Sequence, residues 1–231
     1  AFVTVATGRM FRSAIESTTE LQLTSPIVSF QGAVISNPVS GEVLWNRPLT
    51  EDLTLSALEA LSDWEGVILA SVGNYAYVNM GNKWVDGYRD RNNGRVRIVE
   101  NLVSIAHYNP TRLVAVGETV PIFDLEKRLN IEFLNSLHIT RSLPTFCELL
   151  HPEAGKHKAL EWLRAYLKVS SLATVAFGNG YNDVEMLKWA HLGVAIGDAV
   201  PEVLEVADIV APSLEENGAA QIIEQLLEQG L

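Results

Sequence analysis

The chain has 231 residues, 48% of them hydrophobic and 19% charged, with a formal net charge of −11. That is the composition of a globular protein long enough to bury a core. Its acidic balance excludes a nucleic-acid or anionic-membrane binder with a basic footprint. No apolar run approaches the roughly 18 residues of a membrane span, and the opening residues do not read as a signal peptide. The single cysteine, Cys147, rules out an internal disulfide framework and a cysteine-based zinc site, so a reducing, cytoplasmic setting is expected.

Phe2 to Ala6 is an apolar, β-branched run bounded by Thr7-Gly8 and is expected to be a buried strand. A helix is predicted from Met10 to Leu23 and a second strand from Ile27 to Phe30. The turn-rich stretch Asn37 to Gly41 lies between Ala33–Ser36 and Glu42–Trp45 and reads as a hairpin. Thr50 is placed to cap a helix reaching about Asp63. Strands follow at Val67–Val72 and Tyr75–Val78. The Gly-, Asn-, Arg- and Asp-rich stretch from Gly81 to Gly94 reads as irregular. Then come a strand at Arg112–Val116, a helix from about Pro121 to Asn135, and strands at His138–Arg141 and Phe146–Leu150. From Lys156 onward helices alternate regularly with the strands Thr174–Phe177, Val194–Ile196 and Ile209–Val210, the rhythm of a parallel sheet covered by helices. The expected class is therefore α/β, a Rossmann-like three-layer core with an inserted α+β region.

In parallel α/β sheets, ligands sit at the carboxyl ends of the strands. Three polar clusters occupy such places. Thr7-Gly8-Arg9 offers a hydroxyl, a glycine amide and a guanidinium, which suit an oxyanion; an ordinary helix cap explains Thr7 equally well. Gly178-Asn179-Gly180-Tyr181-Asn182-Asp183 offers oxygen ligands of the kind Mg²⁺ takes, or simply a capped turn. Lys156 opens a helix, where its charge opposes the macrodipole unless an anion offsets it; a solvated lysine is the bland alternative. The five histidines show no metal-ligand spacing, and Cys147 reads as core.

Taken in order, ATGR (6–9), FQGAVI (30–35), GKHKAL (155–160), FGNGYNDVEML (177–187) and GVAIGDA (193–199) resemble the haloacid dehalogenase superfamily, and within it the Cof-type subfamily IIB phosphatases. The resemblance covers essentially the whole chain. It implies a core domain of residues 1–48 and 150–231 and an inserted cap of residues 49–149, with hinges near Pro48 and Leu150. It implies catalytic roles for Lys156, Thr7 and Arg9, phosphate binding by Thr7, Gly8, Gln31 and Lys156, and Mg²⁺ near Asn179, Asn182 and Asp183. Substrate selection would fall to the middle region, where Tyr75, Tyr77, Trp84, Tyr88, Arg89 and Arg91 are candidates.

Two departures from the family pattern stand out. Asn179 replaces an aspartate, and the Asp-x-Asp-Gly-Thr segment that carries the nucleophile occurs nowhere in the sequence. The expectation is that this segment, with the first core strand, belongs to a missing N-terminal part of the same polypeptide and that the chain by itself is inactive; a strand supplied by another chain, or closure of the remaining strands into a non-catalytic fold, are the alternatives. The implied function is a phosphatase of small phosphorylated metabolites, sugar phosphates among them, working through an aspartyl-phosphate. The alternatives are a phosphate-ligand binding pseudoenzyme and a phosphomutase.

Overall fold

The computed structural model describes residues 2–91 and 94–229. The chain divides into two compact units, residues 1–159 and 160–231.

The first unit opens with an extended segment. Val28 N–H donates to Val5 O and Thr7 N–H to Val28 O, both at 2.9 Å. Only Ala6 registers as a bridge, parallel to Val28, so the expected strand over Phe2–Ala6 is a correction. The physical reason is partnership: among the described residues only the three-residue strand β1 (Ile27–Ser29) lies alongside, and a ladder cannot outlast its neighbour. Helix α1 (Phe11–Ser17) is shorter than expected, and a 3₁₀ turn over Thr19–Leu21 takes up the rest. β1 pairs antiparallel with β2 (Val34–Ser36), and β2 with β3 (Val43–Asn46). The Asn37 side chain accepts from Val39 N and Ser40 N at 2.8 and 3.0 Å and shapes the hairpin turn.

Helix α2 (Glu51–Ala60) starts as expected, with Thr50 Oγ1 accepting from Leu53 N at 3.2 Å. It is followed by the largest sheet, built from β4 (Val67–Val72), β5 (Tyr75–Val78), β6 (Val96–Ile98), β7 (Arg112–Val116), β8 (His138–Leu143) and β9 (Phe146–Leu150). The spatial order is β6-β5-β4-β7-β9-β8, antiparallel except for β5 with β6. All six strands, but for the last residue of β9, lie within the region read as an insertion. The stretch expected to be irregular holds helix α3 (Lys83–Arg91), a second correction. Asn82 starts it by accepting from Trp84 N and Val85 N, and Val85 and Tyr88 fasten it to the core.

Side chains alternate across this sheet. Val67, Leu69, Val114, Val116 and Leu150 face Met10, Phe30, Ala33 and Val34. Ala70, Leu113, Ala115, Cys147 and Leu149 face Ala57 and Leu61 of α2 and Ile122, Leu125 and Leu129 of α4 (Thr119–Glu132). A sheet buried on both faces holds the centre of the unit.

Helix α5 (Lys156–Tyr166) runs across the division. The second unit is the regular alternation expected: β10 (Val175–Gly178), α6 (Val184–Trp189), β11 (Leu192–Ala195), α7 (Pro201–Val206), β12 (Ile209–Val210) and α8 (Gly218–Glu228). Its three strands are parallel in the order β10-β11-β12. Val194, Ala211 and Ile222 form its core with Phe177, Leu192 and Ile209. Among the described residues β10 pairs on one side only. No helix of the described residues is long and apolar enough to cross a membrane.

Candidate active site

Thr7, Gly8, Gln31 and Lys156 belong to the first unit, and its backbone draws them together. Gln31 N–H donates to Thr7 O and Phe30 N–H to Arg9 O, both at 3.0 Å, so the 7–9 turn is laced to the 30–31 turn. Thr7 Oγ1 accepts from Arg9 N at 3.1 Å, which orients the hydroxyl within the turn. Arg9 is exposed, and its Nη1 reaches Ser13 Oγ at 3.4 Å. A Cβ on Gly8 would lie 2.8 Å from Gln31 Cδ, so the turn approaches Gln31 as closely as it does only because residue 8 is glycine.

The 30–32 turn is strained. Phe30 and Gln31 have φ of 50° and 56°, in the left-handed region that side chains disfavour. Gly32 follows with φ 94°; a Cβ there would stand 2.9 Å from Lys156 N and closer still to Gly155 O. The glycine therefore lets this turn press against the first peptide of α5. Lys156 is buried at that helix start, beside the turn that carries Gln31.

A buried polar network that sequence reading missed backs this cluster. Arg112 on β7 donates through Nη1 to Gly8 O at 2.7 Å and forms an ion pair with Glu148 on β9. Glu148 also accepts from Gln31 Nε2 at 2.7 Å and from Ser142 Oγ. Tyr88 OH lies 3.4 Å from Arg112 Nη2, and its ring stacks on Phe146 with centroids 6.2 Å apart. Burial opposes the Arg112 charge, but Glu148 and Tyr88 more than offset it, so the guanidinium pKa rises. Arg112 Nε and Ser71 Oγ are buried without a hydrogen-bond partner, and Ser71 and Arg112 are paired across β4 and β7. The signal for the network was the strand phase: Arg112 alternates with Val114 and Val116, and Glu148 with Leu150, so both point with the buried set.

Of the residues named for substrate selection, Tyr88 joins this network. Arg89 pairs with Asp86 at 2.7 Å, and Tyr75 lies under the Arg97 guanidinium, 3.8 Å from its ring centroid. Tyr77 packs against the cluster on the α2/α4 face of the large sheet, and Trp84 against the opposite cluster. The side chain of Arg91 lies outside the described residues.

Asn179, Asn182 and Asp183 belong to the second unit. Asp183 is buried, and its Oδ2 accepts from Asn179 N and Gly180 N, both at 3.0 Å. A Cβ on Gly178 would lie 2.5 Å from Asp183 Cβ, so this glycine makes the tight loop possible. The Asp183 carboxylate thus closes its own loop at the end of β10. Among the described residues no three His, Cys, Asp or Glu side chains gather as a metal site. Mg²⁺ requires several oxygen ligands with compensating negative charge. One carboxylate with an oxygen already committed, plus two amides, does not by itself fit that ion.

A family model described as haloacid dehalogenase-like hydrolase matches residues 1–223. The chain belongs to that family. A Haemophilus influenzae protein named "Putative phosphatase" is 30% identical over 89% of this chain and 78% of its own length. The 5-amino-6-(5-phospho-D-ribitylamino)uracil phosphatase YitU of Bacillus subtilis is 26% identical over 97% of this chain and 84% of its own. Among solved structures, a haloacid dehalogenase-like hydrolase from Bacteroides thetaiotaomicron superposes with TM-score 0.82 at 25% identity, covering 96% of this chain and 85% of that one. A subclass IIB sugar phosphatase shares the fold of this family member at TM-score 0.84 and 18% identity, over 97% and 85% of the two chains.

Proposed function

We propose that this chain carries the phosphate-holding part of a cytoplasmic phosphatase acting on small phosphorylated metabolites, sugar phosphates among them. Family membership supports hydrolysis, and the names of its relatives support phosphate esters. YitU is named for a phosphorylated ribityl compound, a small polyol ester of the expected kind. The observation that carries the site is the approach of the Gln31-Gly32 turn to the Gly155–Lys156 peptide. It sets the start of α5, where Lys156 is buried, against the 30–32 turn, which is hydrogen-bonded to the 7–9 turn that carries Thr7 and Gly8. In this reading those groups hold and neutralise the phosphoryl oxygens, the main task in phosphoryl transfer.

The attacking carboxylate is an aspartate of the family's Asp-x-Asp-Gly-Thr segment, supplied from outside these 231 residues, and the transfer forms an aspartyl-phosphate. Among the described residues β10 pairs on one side only, an edge compatible with an added strand. The same segment would bring the carboxylates that a family Mg²⁺ needs, because the residues of this chain do not complete a site. The division into a core (1–48 and 150–231) and a cap (49–149) belongs to the same reading.

The test joins an Asp-x-Asp-Gly-Thr segment to the chain and follows p-nitrophenyl phosphate hydrolysis with Mg²⁺. Turnover is expected, falling at least about 100-fold in Thr7→Val or Lys156→Met. A folded protein of this composition without turnover would overturn the proposal. The committed carboxylate of Asp183 and the amide at 179 favour one second reading, a non-hydrolysing phosphate-ligand binder. Calorimetry showing metal-independent binding of a sugar phosphate without turnover would select it.

A further inference from the structure

Helix α4 is apolar on two opposite sides. Ile122, Leu125 and Leu129 are buried against the large sheet. On the outer side Val120 is 70% exposed, Phe123 40% and Ile131 81%, and Leu134, just past the helix end, is 73% exposed. At 100° per residue, positions 120, 123, 124, 127 and 131 share one stripe, about 100° wide, opposite the core-facing side. Three large apolar side chains aligned on one exposed helix face, Val120, Phe123 and Ile131, are a patch, unlike scattered surface leucines, and such patches mark contact sites.

The polar residues of the stripe indicate what covers it. Asp124 and Lys127 lie in its middle, both exposed. Among the described residues neither forms an ion pair, and Lys127 Nζ rests 4.0 Å from the Phe123 ring centroid. When two copies of this helix are laid antiparallel about a two-fold axis midway between residues 125 and 126, Val120 meets Ile131 of the second copy. In that same register Asp124 meets Lys127 of the second copy, and the symmetry repeats both pairs. Moving the axis to residue 127 would instead oppose the two lysines. One register therefore satisfies the apolar ends and the charged middle together, as a self-complementary two-fold contact must.

We propose that the outer face of α4 is a homodimer interface, formed with the same face of a second copy of this chain in that register. A single helix pair buries less than the roughly 800 Å² per partner of a standard interface, so the dimer is weak, half-formed at about 10–100 µM.

Sedimentation velocity of the purified protein from about 5 to about 500 µM tests this at its predicted range. A reversible monomer–dimer equilibrium is expected. Ile131→Glu should abolish it, and Lys127→Glu should weaken it about tenfold, because each copy then sets like charges against Asp124. The swap Asp124→Lys with Lys127→Glu should restore the wild-type constant to within about threefold. All of these positions are exposed, and circular dichroism would verify that each variant folds. A protein monomeric throughout the range overturns the proposal. So does a dimer indifferent to Ile131→Glu, or a charge swap that associates no better than Lys127→Glu alone.

Discussion

Removing the Arg112 guanidinium would strand Glu148 as an uncompensated carboxylate beneath the Gly8 turn. Breaking a buried pair in this way costs about 3–5 kcal/mol. Arg112→Met should lower the unfolding free energy in urea by that order. Adding Glu148→Gln should return at least half of the loss, because the stranded charge disappears while Gln31 and Ser142 keep an acceptor. A second residue-scale prediction separates two kinds of glycine. Gly41 has φ 74° with open space around its Cβ position, whereas Gly32 has φ 94° and faces the Gly155–Lys156 backbone. Gly41→Ala should cost about 1 kcal/mol, the strain of a left-handed alanine. Gly32→Ala should cost at least about 2 kcal/mol more, since backbone must shift as well. Equal losses in parallel denaturant titrations would show that the close approach carries no energy. Neither Arg112 nor Glu148 was legible as a partner, because the network joins positions as much as 117 residues apart. Only their phase with buried neighbours was readable.

Elements were legible where the periodic signal was strong. β4, β5, β7 and β9 begin and end where their apolar alternation does. The signal for α3 was hidden because Gly87 and five charged residues dilute it, and the helix depends on Val85 and Tyr88 reaching a core that sequence does not display. The opening apolar run misled for the opposite reason, since strand character needs a partner of matching length. In the second unit Glu161 of α5 is held by hydrogen bonds from Arg164 and then from Trp189, which lower its carboxyl from 4.5 to about 2. A carboxyl lowered on folding stabilises the fold above its ordinary pKa and loses that contribution as pH falls towards 2. Because the group is largely exposed, the contribution stays below about 1 kcal/mol. A carbon-13 titration should find Glu161 still ionised near pH 3, and in Trp189→Phe its midpoint should rise. An unmoved midpoint would remove the indole from the account.

On the scale of the molecule, the order of the motifs foretold the family, and a match over residues 1–223 bears that out. The second unit repeats strand and helix as its sequence does, because each of its strands pairs with the next one in the chain. What the motif order did not foretell is that residues 1–48 pack into one compact unit with the large sheet. Met10, Phe30, Ala33 and Val34 bury the face of that sheet that α2 and α4 leave uncovered. That packing is decided by complementary surfaces rather than by any local pattern.

The lone thiol gives this architecture a clock. Cys147 is sealed under α4 on β9, the last of the six strands in chain order, and burial pushes its pKa up, so the reactive thiolate is suppressed. An alkylating reagent should leave the native protein unmodified and label it only when the sheet parts from its helices. The labelling rate in water should then follow the opening equilibrium, slowing in variants that tighten the first unit and quickening in Arg112→Met. Prompt labelling of the wild-type protein at neutral pH would mean that the sheet breathes far more freely than its packing allows.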